Sequence, residues 1–512
     1  MKTLKRTLAL IAALTVVATT FAGCGDKKEE DTTKPATTTA APAATDAAGG
    51  DTATDAPEAE TTEAPPSEAP QVGAPADDKV TLGTGGSEFT IVSWNANDFP
   101  ALLATFVGKV DQVDAADATV NVGLIEDATT DTGATINFIN LGVGSADAKQ
   151  TYDNMLSAGE DIDIYAAEAD FALDYIGDTS KSADFTTMGF AESDWANAYS
   201  YTLEIGKDAN GSLRGISWQA CPGGYAYRTD LAETYLGVTD TAAMQDLVKD
   251  WDTMGQTAAK VYEASGEKTA MAATMGGMWQ VFAPARDKAW VVDETLVADD
   301  AQSLKFLTMA KDWADKGYVT KVGQWTDAWL PMGQDDSVMG YFVSTWGLGD
   351  TIVIGAAGGK TGATFGQWGI VQGPQAFSWG GTWFIVNPAT DNGIDAKNFI
   401  YDLTLDEETM AAYAKAKGEY MNNKKVMAQG TALANDDITA NFGGQDYISL
   451  LSEAAANIKM DAKKITRYDS VIKADFMTAV TDYANGNYAD ETATLDAFKN
   501  KVAEDVPAIT VN

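Results

Sequence analysis

Six tryptophans fall where loops and strand ends are expected: Trp94, Trp218, Trp279, Trp346, Trp379 and Trp383. An indole offers a wide, flat apolar face carrying π density, and it buries a large area when something stacks on it. Asn95, Glu168, Asp170 and Gln219 add amides and acids that donate or accept hydrogen bonds. Together these types suit a ligand with C–H faces and hydroxyl edges, which is the chemistry of a sugar. Each residue also has a plain structural reading. Trp94, Trp218, Trp279 (in a Gly/Met-rich stretch read as a loop) and Trp383 serve equally as core, and the four polar groups equally as solvated loop residues or helix caps. Trp251 and Trp313 lie on apolar helical stripes and are read as core, while Trp195, Trp290, Trp325, Trp329 and Trp368 carry no assignment.

Composition removes several kinds of chemistry. The chain of 512 residues has no histidine, so it holds no Ser-His-Asp or Cys-His machinery and no histidine metal ligand. Residues 354–361 imitate a phosphate-binding loop, but Ile354 stands where the first glycine should be. Residues 208–212 hint at a calcium loop, but the glycine comes too early and no glutamate closes it. No catalytic residue, metal or cofactor is therefore expected. The formal net charge is −39, which argues against nucleic acid, since phosphate contacts need clustered Lys and Arg.

The N-terminus reads as an address. Lys2, Lys5 and Arg6 precede an apolar stretch at 8–17, and small residues lead to Cys24, the layout of a secretory signal peptide over 1–23. Its removal takes away three bases and no acid, moving −39 to −42. Phe21-Ala22-Gly23-Cys24 resembles the bacterial lipoprotein signal, which makes Cys24 a lipid attachment point; the segment also reads as an ordinary signal peptide cleaved near Ala22. With Cys24 acylated, Cys221 stands alone and no intrachain disulfide forms, so stability rests on a large core. From Cys24 to about Ser87 the chain is rich in Thr, Ala, Pro and Glu and poor in large apolar side chains, a disordered tether with a root-mean-square reach of roughly 45 Å.

The folded part must position the candidate residues. Strands are expected at 89–94, 135–141 and 162–167, with a helix at 146–158 stopped by Gly159. Strand, helix and strand in this order argue for a parallel sheet in an α/β lobe. A short helix at 100–110 and a loop at 111–134 are read between the first two strands. Further on, a helix at 194–203, a strand at 213–218, long helices at 241–264 and 300–316, strands at 368–371 and 382–386, and mostly helix after 396 complete the pattern, with Gly317, Gly418 and Gly486 as stops.

Five stretches in this order resemble family 1 extracellular solute-binding proteins of ABC transporters. They are 152–170 with Ser157-Ala158-Gly159 and Asp161-Ile162-Asp163-Ile164; 211–218 followed by Tyr227-Arg228-Thr229-Asp230-Leu231; 333–346 through Val338-Met339 to Trp346; 368–383; and 476–509 with Tyr483-Ala484-Asn485-Gly486. The resemblance implies a two-lobed periplasmic-binding-protein-like α/β fold (type II). Each lobe would be a mainly parallel sheet flanked by helices, the lobes joined by hinge crossings: 88–217 with 384–445, and 218–383 with 446–512. It implies a ligand held between lobes that close on it, Trp346 at a sugar-stacking position, and Asp170 where the family often places a sugar-binding acid.

The expected protein is a monomeric, non-enzymatic, lipid-anchored capture protein on the extracellular face of a bacterial cell membrane. It would take up a carbohydrate, most simply an oligosaccharide, and pass it to a membrane permease. A surface glycoside hydrolase, which needs two carboxylates roughly 5–10 Å apart, a wall-binding adhesin, and a peptide in place of the sugar are the alternatives.

Overall fold

The computed structural model describes residues 72–94, 129–143 and 145–512, all within the unit Pro70–Asn512. The signal peptide, Cys24, the tether up to residue 71, Asn95, and the helix expected at 100–110 lie outside the described residues.

Among the described residues there are ten strands: β1 (Glu88–Ser93), β2 (Thr135–Asn140), β3 (Ile164–Glu168), β4 (Ile216–Ser217), β5 (Gly223–Arg228), β6 (Val291–Val292), β7 (Thr295–Leu296), β8 (Gly340–Ser344), β9 (Trp368–Val371) and β10 (Thr382–Val386). Five form a sheet in the order β2-β1-β3-β10-β4, three form a second in the order β8-β5-β9, and β6 and β7 pair as a small hairpin.

In the first sheet β1 runs parallel to β2 and β3, with Ile91 opposite both Phe138 and Ile164. β10 arrives from the second sheet and so runs antiparallel to β3 and β4. The period-2 pattern of the sequence is realised on both faces. Phe89, Ile91, Ile164, Ala166, Phe384 and Val386 point to one side, where helix Gly393–Thr404 packs Phe399 against them. Val92, Tyr165, Ala167, Trp383 and Ile385 point to the other, under Tyr152 and Met155 of helix Ser145–Ala158.

The second sheet departs from the expected parallel arrangement: β5 is antiparallel to both β8 and β9. The sequence offered only short apolar runs here, which do not encode strand direction; the long connections around them set it. One face, with Tyr225, Tyr227 and Phe342, is covered by helices Trp251–Ala264, Met275–Phe282, Ala301–Lys316 and Asp469–Ala484. The helix expected at 241–264 is two helices, Thr241–Val248 and Trp251–Ala264. Asp250 breaks it by accepting from Thr253 N, a cap worth about 1 kcal/mol.

Three chain segments run side by side between the sheets. Residues 218–222 connect β4 to β5, and 372–381 connect β9 to β10. Trp379 N donates to Cys221 O (3.1 Å) and Ser378 Oγ to Ala220 O (3.2 Å). The third segment, 419–422, closes the set: Ala220 N donates to Tyr420 O (3.0 Å) and Asn422 N to Trp218 O (2.7 Å). The first two segments lie where the sequence places its crossings; the third, at 419–422, comes before the return expected near residue 445. Cys221 (φ 50°), Gly380 (φ 81°) and Gly381 (φ 109°) all take left-handed backbone in the first two.

The expected tether is too long by its last sixteen residues, because 72–87 are laid along the domain. Lys397, buried in helix Gly393–Thr404, donates to Pro75 O (2.9 Å) and pairs with Asp77. Tyr401 Oη donates to Val72 O (3.1 Å), and Thr81 N to Thr187 O (2.7 Å). Composition suggested disorder, but backbone groups and one buried lysine on distant elements hold this strap in place.

Candidate functional site

A cavity of about 160 Å³ opens where the end of β3, the crossings and the helices of the second sheet meet. Of the residues singled out in the sequence, the fold brings Glu168, Asp170, Gln219, Trp279 and Trp383 to its wall. They come from separate elements: the end of β3, the first crossing, helix Met275–Phe282 and β10.

The charged part is built on β3. Glu168 Oε2 accepts from Asp170 N (2.7 Å), which curls the chain so that Asp170 faces Lys473 on helix Asp469–Ala484 and pairs with it. Burial pushes the Glu168 carboxyl up to about 8; the charge of Asp170 adds to this and Lys473 opposes it. Burial works against the Lys473 ammonium, but Asp170 and Glu168 outweigh it and raise its pKa. Nearby, Arg286 Nη2 donates to Asp469 Oδ2 (2.9 Å) and its guanidinium lies 4.7 Å from the ring centre of Trp290.

The aromatic part is held by hydrogen bonds to the main chain. Trp383 Nε1 donates to Thr202 O (3.1 Å). Trp379, also on the wall, accepts at its carbonyl from Trp346 Nε1 (2.9 Å), and the two rings meet edge to face at 5.0 Å. The Gly380-Gly381 pair permits this: a Cβ on Gly380 would lie 3.1 Å from Trp346 Nε1, and one on Gly381 3.1 Å from the Trp383 ring.

Trp346 does not line the central cavity. It lines a second one of about 100 Å³ with Thr345, Glu419, Asp350 and Ile354. The two are linked through a buried carboxylate: Gln219 Nε2 and Thr345 Oγ1 each donate to Glu419 (2.8 Å for both).

Three expectations are corrected. Trp218 is wholly buried, stacked on Phe384 at 4.7 Å, and is core rather than platform, because the strand end it marks turns inward into the hinge. Trp279 is not in a loop. Thr274 caps a helix there by accepting from Gly277 N (3.0 Å), and the indole is buried among Trp290, Phe306 and Phe476, leaving it a supporting part of the wall. Trp383 too is almost fully buried and acts as a wall. Trp94 is half-buried against the outer-face cluster of the first sheet, with Asn95 beyond it outside the described residues.

Sequence reading missed Arg286, Trp290, Tyr201 and Lys473 on the cavity wall. Trp379, one of the six tryptophans at expected loops and strand ends, is also on this wall; Gly380-Gly381 beside it is the sequence signal for a close turn there. Lys473 gave none, lying 303 residues from its partner.

The chain belongs to the family of bacterial extracellular solute-binding proteins, whose profile matches residues 123–442. A search of curated proteins finds no match. Among solved structures, an extracellular solute-binding protein of family 1 superposes with a TM-score of 0.67 at 19% identity, covering 83% of this chain and 100% of that one. The galacto-N-biose/lacto-N-biose I-binding protein of an ABC transporter from Bifidobacterium longum, in complex with lacto-N-biose, gives 0.61 at 14%, covering 84% and 100%. An ABC transporter associated binding protein from B. animalis subsp. lactis, in complex with β-1,6-galactobiose, gives 0.60 at 16%, covering 82% and 98%. The fold is thus the two-lobed α/β fold of solute-binding proteins, with one sheet in each lobe and the cavity between them.

Proposed function

We propose that this protein captures a carbohydrate, most simply an oligosaccharide, between its lobes and hands it to the permease of an ABC importer. Acylated at Cys24, it works as a monomer on the extracellular face of the membrane. The observation that carries the reading is the make-up of the inter-lobe wall: half-buried Trp379, whose carbonyl accepts from Trp346 Nε1, with buried Trp383 anchored to Thr202 O behind the wall, beside Glu168, Asp170 and Gln219. Indole faces meet C–H surfaces, and the acids and amide meet hydroxyls. The sugar complexes named for two structural neighbours support the same class. The proposed lobes are 88–217 with 384–445 and 218–383 with 446–512; Lys424 N bonding to Asn197 O supports the first, and Gln445, bonding to the Ile370 backbone, stands at the proposed return.

A thermal-shift screen of the mature protein against mono- and oligosaccharides tests the ligand class, since a ligand that binds only the folded state raises its apparent stability. A hit confirmed by calorimetry, saturable and without turnover, is the expected result. No stabilisation by any sugar, together with stabilisation by peptides, would replace the carbohydrate with a peptide. Mass spectrometry of the mature N-terminus tests the anchor: a start other than an acylated Cys24 removes it.

A further inference from the structure

Trp325, which no sequence signal had assigned, is the only exposed one of the thirteen tryptophans, with 63% of its surface open. Its backbone is left-handed (φ 68°), a conformation that bulky residues rarely adopt and that persists only where its surroundings impose it. The loop is pinned on both sides. Thr326 N and Oγ1 both donate to Gly323 O (3.3 and 2.8 Å), and Trp329 N donates to Thr326 O (3.0 Å). Gln324 packs so closely on Gly276 that a Cβ there would lie 2.5 Å from its Oε1. A strained, fixed loop therefore presents an indole to solvent.

The indole does not stand alone. It stacks on Trp346 (5.9 Å, 26°), meets Trp329 edge-on (4.8 Å, 71°) and approaches Trp379 (6.0 Å, 59°). Trp346 and Trp379 are bonded to each other, and Trp379 forms part of the central wall. A row of indoles thus leads from the cavity outward. The central cavity, at about 160 Å³, is smaller than the roughly 300–1,000 Å³ that encloses most of a drug-sized ligand. A ligand of several sugar units overfills it, and beyond Trp379 the row of indoles offers the remainder a surface to stack on.

We propose that Trp325 is the outer platform of the binding site, on which a later sugar ring of an oligosaccharide stacks while the first unit occupies the central cavity. The proposal rests on the carbohydrate reading above and extends it to ligand length. Trp346 holds the Trp325 ring parallel from one side, and the exposed remainder receives the sugar.

The test is calorimetry on the mature protein with maltose, maltotriose and maltotetraose, and with β-1,6-linked galacto-oligosaccharides of two to four units. Native protein should bind the longer members of one series more tightly. Trp325→Ala should leave the shortest ligand within about twofold of native and lose about tenfold on the longer ones, and Trp325→Phe should regain most of that loss. Trp325→Gly relieves the left-handed strain, so it should melt no lower than native while losing the same length-dependent affinity. That variant separates a binding role from a folding role. Equal affinity at every length, or an equal loss at every length, overturns the platform while leaving the carbohydrate reading standing. Native protein that binds neither series overturns both for these sugars. Loss of self-association in Trp325→Ala with unchanged sugar affinity overturns the platform in favour of a protein contact.

Discussion

Lys473 reaches across the cleft to Asp170: the ammonium stands on a helix packed over the second sheet, the carboxylate just past β3 of the first. Arg467 makes a second such contact with Asp174 (3.2 Å). These pairs tie the lobes together without help from a ligand. Both are partly exposed, so each is worth about 1 kcal/mol or less, and 1 kcal/mol shifts a two-state equilibrium about fivefold. Lys473→Ala should therefore favour the open form and weaken ligand binding by up to that factor. Small-angle scattering should show a larger radius of gyration for the variant, and for native protein in high salt. Superimposable curves would show that the pair does not govern closure.

Stability should fall as pH rises from about 5 to above 8. Burial, with the charge of Asp170, lifts Glu168 from 4.5 to about 8; burial, with Asp406 and Asp131, lifts Asp402 from 3.8 to about 7; burial, with Asp505, lifts Asp475 from 3.8 to about 6. In this window the folded chain holds protons that the unfolded chain has lost, so the favourable contribution is complete below the unfolded values and disappears through the folded ones. Melting temperatures from pH 5 to 9 check the slope. Glu168→Gln should flatten its upper part, and an unchanged slope in that variant would exonerate Glu168.

Gly380 should tolerate no side chain. Its left-handed backbone (φ 81°) and the 3.1 Å approach of its virtual Cβ to Trp346 Nε1 predict that Gly380→Ala costs about 1–3 kcal/mol. It should also disturb the Trp346–Trp379 pair, seen as a change in near-ultraviolet circular dichroism. Trp346→Ala, which removes the hydrogen bond to Trp379 O and the ring behind Trp325, should weaken sugar binding by tenfold or more in calorimetry. Native affinity in Trp346→Ala would take it out of the site.

The strap should behave as part of the domain. Lys397→Ala leaves the Pro75 carbonyl without its donor and Asp77 without its partner, and should cost about 2 kcal/mol. Hydrogen exchange should show protection at Thr81 N, which bonds to Thr187 O, falling with it. Exchange at Thr81 as fast as in an unfolded chain would place the strap off the domain.

What residue order alone determined was local. Alternation at β1, the short apolar run at β10, the stripe on the helix ending at Lys316, and the left-handed stops at Gly317 and Gly418 follow from residue pattern and from glycine's backbone freedom, which act over a few residues. The absence of histidine and the acidity likewise needed no structure. Tertiary packing decided what local signals leave equal. Trp218 and Trp379 both sit in hinge crossings, yet one is buried on Phe384 and the other faces the cavity. Trp279 looked like a loop residue because two glycines precede it, until Thr274 capped a helix there. Asp170 and Lys473 meet only because β3 and a helix 303 residues later pack from opposite lobes. A side chain's type states what it can do, but its partners are chosen by elements distant in sequence. That is why the kinds of residue in this site were legible in the sequence, and which of them meet at the cleft was not.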